Sequence, residues 1–154
     1  MQKITTFLTY NDQAEKAAQL YISLFPDSAI THVTRYAAGG PMPSGSVMTV
    51  EFRLAGQQYV ALNGGPHFTF SEGISLSVAC QDQAEIDRLW AALTADGGRP
   101  DQCGWLQDPF GVSWQIVPAR MGELMRGNSP EQAQRRMQAM LQMRKIDIAA
   151  LEQA

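Results

Sequence analysis

The chain has 154 residues, of which 45% are hydrophobic and 18% charged, with a net charge of −3. That length buries roughly two thirds of the unfolded surface without a disulfide or metal staple. So low a charge excludes a broad basic surface and leaves nucleic acid without a footprint. Met1 to Tyr10 has neither a cationic start nor an unbroken apolar run, so no signal peptide, no membrane contact and a cytoplasmic location are expected. Cys80 and Cys103 are not spaced as a Cys-x-x-Cys pair and are expected to be free thiols.

In chain order, Ile4 to Tyr10 alternates as a strand, and Asp12-Gln13-Ala14-Glu15 opens a helix over residues 13–25 that Pro26 stops. Three strands are predicted next, over 28–36, 46–54 and 57–63, with Ala55-Gly56 as the tight connection between the last two. The pattern then begins again. Ile74 to Cys80 alternates, and Asp82-Gln83-Ala84-Glu85 repeats the earlier tetrapeptide at an offset of 70 residues, from 12 to 82. A helix over 83–95 ends at Gly97-Gly98, followed by short extended segments near Arg99, over 104–107 and, past the turn Asp108-Pro109-Phe110-Gly111, over 112–117. In both tetrapeptides the Asp is placed to cap the helix and the Glu three residues on to reach back, a device worth about 1 kcal/mol.

The expected fold class is therefore α+β, with two β-α-β-β-β modules over 1–65 and 72–118 that together make a domain over 1–118. A helical tail covers 119–154. In the tail, Ser129, Pro130 and Gln132 form an N-cap, first-turn proline and capping-box partner, and Ala133, Met137, Met140 and Leu141 line one face. That stripe is expected to pack on the domain or on a second copy. Covering the sheet edges and this stripe predicts a homodimer.

Alternation sorts each strand into two faces. Met48, Val50, Phe52 and Leu54 form an apolar face for the helices, opposite Val47, Thr49, Glu51 and Arg53. In the same way Ile74, Leu76 and Val78 oppose Ser75, Ser77 and Ala79, and Val112, Trp114 and Ile116 oppose Ser113, Gln115 and Val117. Val60 and Leu62 are set with the apolar faces against Tyr59, Ala61 and Asn63, as are Ile4 and Leu8 against Thr5, Phe7 and Thr9. A sheet face of Ser, Thr, Asn and Gln is either solvated or curled around a cavity. Its lack of lysine favours the lined hollow.

The runs Asn63-Gly64-Gly65-Pro66-His67-Phe68-Thr69-Phe70 and Cys103 to Pro118, with the tail Met140 to Ala149, resemble the PhnB-like branch of the vicinal oxygen chelate superfamily. Glyoxalase, bleomycin-resistance and extradiol-dioxygenase domains belong to the same superfamily. The resemblance implies paired modules curled around a cavity, with a divalent metal held by His and Glu from the first and last strands of the modules. Carried over, the ligand positions fall near Thr5, near Ala61 or Asn63, near Ser75 and on Gln115. None is an imidazole or a carboxylate, so no metal and no other cofactor is expected. Members of the branch are often labelled 3-demethylubiquinone-9 3-methyltransferases. A doubly wound methyltransferase needs a glycine-rich turn between a strand and a helix, and Gly39-Gly40, Gly64-Gly65 and Gly97-Gly98 all lead elsewhere.

The predicted ligand lining is Thr5, Phe7, Glu51, Arg53, Asn63, Ser75, Ser77, Trp105 and Gln115, with Trp105 offered for stacking and Trp114 for the core. Glu51 is the one candidate general base, and an ion pair with Arg53 is its plainer role. His32 and His67 are assigned structural or solvent roles. No Gly-x-Ser-x-Gly elbow supports Ser77 or Ser113 as a nucleophile. The expected function is metal-free binding of a small, mainly neutral organic molecule. An enzyme of the same fold, working through Glu51, an unusual metal set or methyl transfer, is the alternative.

Overall fold

The structure, a computed structural model, describes residues 2–154. It contains two compact units, Met1–Thr69 and Phe70–Ala154. The first is built from β1 (Thr6–Tyr10), α1 (Ala14–Leu24), β2 (Ala29–Arg35), β3 (Val47–Leu54) and β4 (Gln57–Asn63). Its four strands lie in the order β1-β4-β3-β2, with β1 parallel to β4 and the remaining pairs antiparallel. Ala55 and Gly56 both take positive φ, which is the backbone a two-residue β3–β4 hairpin demands.

The second unit repeats the scheme with β5 (Leu76–Cys80), α2 (Gln83–Thr94), β6 (Arg99–Pro100), β7 (Trp105–Gln107) and β8 (Ser113–Pro118), in the order β5-β8-β7-β6. The two β-α-β-β-β modules are thus as expected. The tail belongs to this unit and breaks into three helices, α3 (Met121–Arg126), α4 (Pro130–Leu141) and α5 (Ile148–Gln153).

Each unit buries the face of its sheet that carries the helix. In the first, Ala14, Ala17, Ala18, Tyr21 and Leu24 of α1 are buried together with Leu8, Tyr10, Val50 and Phe52. The ring of Tyr21 lies 6.2 Å from Phe52, which stacks on Tyr59 at 5.6 Å, and the Tyr10 and Tyr21 hydroxyls hydrogen-bond at 3.0 Å. In the second, Ile86, Leu89 and Leu93 of α2 are buried with Leu106, Trp114 and Ile116.

The two helix starts differ. Asp82 Oδ1 accepts the Glu85 amide at 2.9 Å, and Glu85 Oε1 accepts the Gln81 amide at 2.9 Å, the reciprocal cap that the tetrapeptide predicts. Asp12 does not cap α1, whose N-cap residue is Gln13 without a side-chain bond. There the Ala14 amide donates instead to Asn63 Oδ1 at 2.9 Å, from the far end of β4.

The tail docks on its own module. The amides of Cys103 and Gly104 donate to Met143 and Arg144 carbonyls at 2.9 and 2.7 Å. Gln83 spans the next stretch, donating to the Ile146 carbonyl and accepting from the Ile148 amide, both at 2.9 Å. Ile146 and Leu151 are fully buried. Gly104 is needed at this crossing: its φ is +86°, and a Cβ would meet Ile146 Cγ1 at 3.0 Å and the Ile116 carbonyl at 3.1 Å. The α4 stripe behaves differently, with Met137 and Leu141 exposed.

Candidate functional site

Strand register decides which residues stand on the faces away from the helices, because laterally paired residues share a face. In the second unit Ser77 pairs with Gln115 across β5–β8, and Gln115 with Trp105 across β7–β8. Ser77, Gln115 and Trp105 therefore form one row over three strands. Gln115 Nε2 donates to Ser75 Oγ at 2.9 Å, tying the last strand to the residue just before β5. A cleft of about 380 Å³ opens beside Trp105, bounded also by Ser113, Cys103, Gln102, Glu72 and Asp101. It has two carboxylates on its rim and no cation in its lining. Glu72, Asp101 and Cys103 are lining residues that alternation did not supply, since all three lie in loops.

In the first unit the row runs Phe7, Val60, Glu51, His32 across all four strands. His32 stands directly opposite Glu51 because a register irregularity between Ile30 and His32 displaces Thr31. Thr34 and Thr49, the next pair on this face, hydrogen-bond at 2.5 Å.

The register also corrects several sequence assignments. Val60 and Leu62 pair with Glu51 and Thr49 and so lie on the face away from α1, while Tyr59, Ala61 and Asn63 lie on the helix side. Asn63 is buried, accepts from the Ala14 amide and donates from Nδ2 to the Val47 carbonyl at 3.0 Å. Its side chain holds a helix to two strands and does not line a ligand face. Arg53 does not neutralise Glu51: its Nε meets Asp27 Oδ1 at 3.0 Å in an exposed pair. Ile4 and Ile74 were expected on buried apolar faces but are 84% and 75% exposed, because regular pairing starts only at Thr6 and Leu76. Thr5 precedes β1 and is half-buried, and Phe7 is largely exposed.

Of the four positions at which the resemblance puts metal ligands, Ser75 and Gln115 come together, Thr5 offers a hydroxyl, and Asn63 and Ala61 face the helix. Among the described residues no three His, Cys, Asp or Glu side chains cluster to hold an ion. Neutral hydroxyl and amide oxygens are poor transition-metal ligands, so this donor set does not fit such a metal. Two groups on the helix side have displaced pKa values. Burial, reinforced by Glu85, pushes the Cys80 thiol up to about 12, and burial raises the Tyr59 hydroxyl.

A family model described as 3-demethylubiquinone-9 3-methyltransferase matches residues 2–117. The PhnB protein of Bacillus cereus is 38% identical, with 77% of this chain and 100% of that one covered and a TM-score of 0.70. The chain belongs to the family of that model, the PhnB-like 3-demethylubiquinone-9 3-methyltransferase family. Two more distant structures share the fold alone. A Pseudomonas aeruginosa protein is 20% identical over 77% of this chain and 98% of its own, with a TM-score of 0.62. The fosfomycin resistance protein FosX of Listeria monocytogenes is 13% identical over 80% and 97%, with a TM-score of 0.54. No curated protein matches. In this PhnB-like chain both strand-to-helix turns, Asn11-Asp12-Gln13 and Gln81-Asp82, lack glycine, so neither forms the phosphate cradle of a doubly wound nucleotide fold. No helix among the described residues is long and apolar enough to cross a membrane.

Proposed function

We propose that this PhnB-like protein binds a small organic molecule without negative charge, and without a metal, over the polar sheet face of its second module. The observation that carries this reading is the Gln115–Ser75 hydrogen bond. The two positions to which the resemblance carries a carboxylate and an imidazole are adjacent here, but they are an amide and a hydroxyl joined by one hydrogen bond. The cleft beside Trp105, the register partner of Gln115, adds hydrogen-bonding groups in Gln102 and Ser113, an aromatic wall in Trp105 itself and a rim bearing Glu72 and Asp101. Such a surface favours a neutral planar or semi-polar molecule and disfavours an anion.

The test is calorimetry with whichever compound mass spectrometry finds released from freshly purified protein. Trp105→Ala is expected to weaken binding by about 1 to 3 kcal/mol through the loss of stacking and apolar burial. Unchanged affinity, with a large loss in Arg53→Ala, would overturn the reading. The cytoplasm is the proposed location and a homodimer the proposed assembly; exposed Met137 and Leu141 on α4 support the latter. A monomer mass by light scattering at micromolar concentration would refute the dimer.

A second reading is supported by the Glu51–His32 pairing, which puts a carboxylate and an imidazole on one face. In that reading the protein is an enzyme with Glu51 as general base. It requires turnover of the co-purified compound that is lost in Glu51→Gln, whereas the binding reading requires the compound to emerge chemically unchanged.

A further inference from the structure

The helical tail lies beyond the residue at which the family model ends, and it contains a charge that the fold does not balance with a carboxylate. Arg136 of α4 is 9% exposed. Its Nη1 donates to the Leu124 carbonyl at 2.7 Å and its Nη2 to the Glu152 carbonyl at 3.1 Å, both among the free carbonyls at the C-terminal ends of short helices. Nε finds no acceptor among the described residues. Arg53–Asp27, Arg120–Glu152 and Lys145–Asp87 pair elsewhere, and the two bonds of Arg136 both end on carbonyl oxygens. A guanidinium cannot shed its proton to escape burial. It has five N–H donors, of which two are spent on neutral carbonyls whose helix dipoles supply only part of a counter-charge.

Arg136 lines a cleft of about 270 Å³, together with Arg120, Glu123, Leu124, Asn128 and Glu152. We infer that this cleft is a second ligand site, one that takes the carboxylate of a small monocarboxylic acid between Arg136 and Arg120. Each Nη keeps a second N–H that a carboxylate oxygen can accept. Asn128 adds a neutral polar group, and with Leu124 buried the exposed lining is mainly polar. Glu123 and Glu152 on the same rim select against a dianion such as phosphate, since like charges at close range repel. The inference does not rest on the Trp105 cleft, which has no cation in its lining and disfavours an anion, so either site can fail alone.

The probe is butyrate, titrated into the full chain while the Arg Nε–H signals are followed by nitrogen–proton NMR, with chloride at equal ionic strength as control. The Arg136 signal, identified by its loss in Arg136→Lys, is expected to move saturably with a dissociation constant of about a millimolar. Inorganic phosphate at equal concentration is expected to move it less. Arg120→Gln keeps the buried guanidinium and is expected to weaken butyrate binding about tenfold. Glu123→Gln, which removes a rim carboxylate, is expected to tighten it. No saturable shift in the wild type overturns the inference, as does the same shift with chloride. Binding seen only in Glu123→Gln also overturns it, because Glu123 would then be the cleft's own occupant. Affinity unchanged in Arg120→Gln does the same.

Discussion

Asp108 is 2% exposed and organises the loop that delivers β8. Its Oδ1 accepts the amides of Phe110 at 2.9 Å and Val112 at 3.0 Å, and its Oδ2 accepts the indole N–H of Trp114 at 2.9 Å. One carboxylate thus closes the Asp108-Pro109-Phe110-Gly111 turn and sets the depth of the largest fully buried side chain. Asp108→Ala takes this acceptor from three donors at once. Hydrogen bonds to a charged partner contribute about 1.5 to 3 kcal/mol each and do not add when they share a group, so the expected cost is about 4 kcal/mol.

Asp108→Asn is the sharper perturbation. Its amide oxygen can keep the two backbone donors, but its NH2 then faces the Trp114 N–H, donor against donor. The expected cost is about 2 kcal/mol, and in a Trp114→Phe background, where the indole N–H is gone, it is expected to fall below about 1 kcal/mol. The assay is urea unfolding followed by far-ultraviolet circular dichroism on the four proteins of the cycle. A cost under about 1 kcal/mol for Asp108→Ala would refute the reasoning, and so would an Asp108→Asn penalty that is the same with Trp114 and with Phe.

Asn63→Asp keeps the acceptor for the Ala14 amide but loses the donor to the Val47 carbonyl, so it is expected to cost about 1 to 2 kcal/mol in urea unfolding, and Asn63→Ala more. Cys80 has its folded thiol pKa raised to about 12; the protonated thiol is favoured by folding, so its contribution is full below about pH 8.5 and is lost as the pH rises toward 12. Stability measured between pH 8 and 11 is therefore expected to fall less steeply in Cys80→Ala than in the wild type, and parallel curves would show that Cys80 is not the group responsible. Gln115→Glu combined with Ser75→His puts a carboxylate and an imidazole at two positions already joined by a hydrogen bond, and elemental analysis is expected to find zinc or nickel retained by the double variant and not by either single one.

Both modules, their element order and the reciprocal cap of α2 could be read from local periodicity, since each depends on residues within a few positions of one another. The open face of the second sheet was legible too, because within the paired strands Ser77 and Gln115 alternate with the apolar Leu76, Val78, Trp114 and Ile116, although the same pattern wrongly extended the buried face to Ile74. In β4 that contrast is missing. Tyr59 and Ala61 are as apolar as Val60 and Leu62, so only pairing with β3 decided which side faces α1, and the polar Asn63 proved to be on the buried one.

By itself, then, the sequence determined the two-module α+β plan, the absence of chelating side chains at Ser75 and Gln115, and the apolar halves of the clearly alternating strands. Tertiary structure alone decided that Asn63 caps α1 from 49 residues away. It also decided that a bulge at Thr31 sets His32 opposite Glu51 and that Arg136 draws together the ends of α3 and α5. The physical reason is common to all three. A hydrogen-bonding group buried in the fold takes whatever partner the packed chain brings within about 3 Å, and sequence periodicity reports which face a side chain occupies, not which distant group will meet it there.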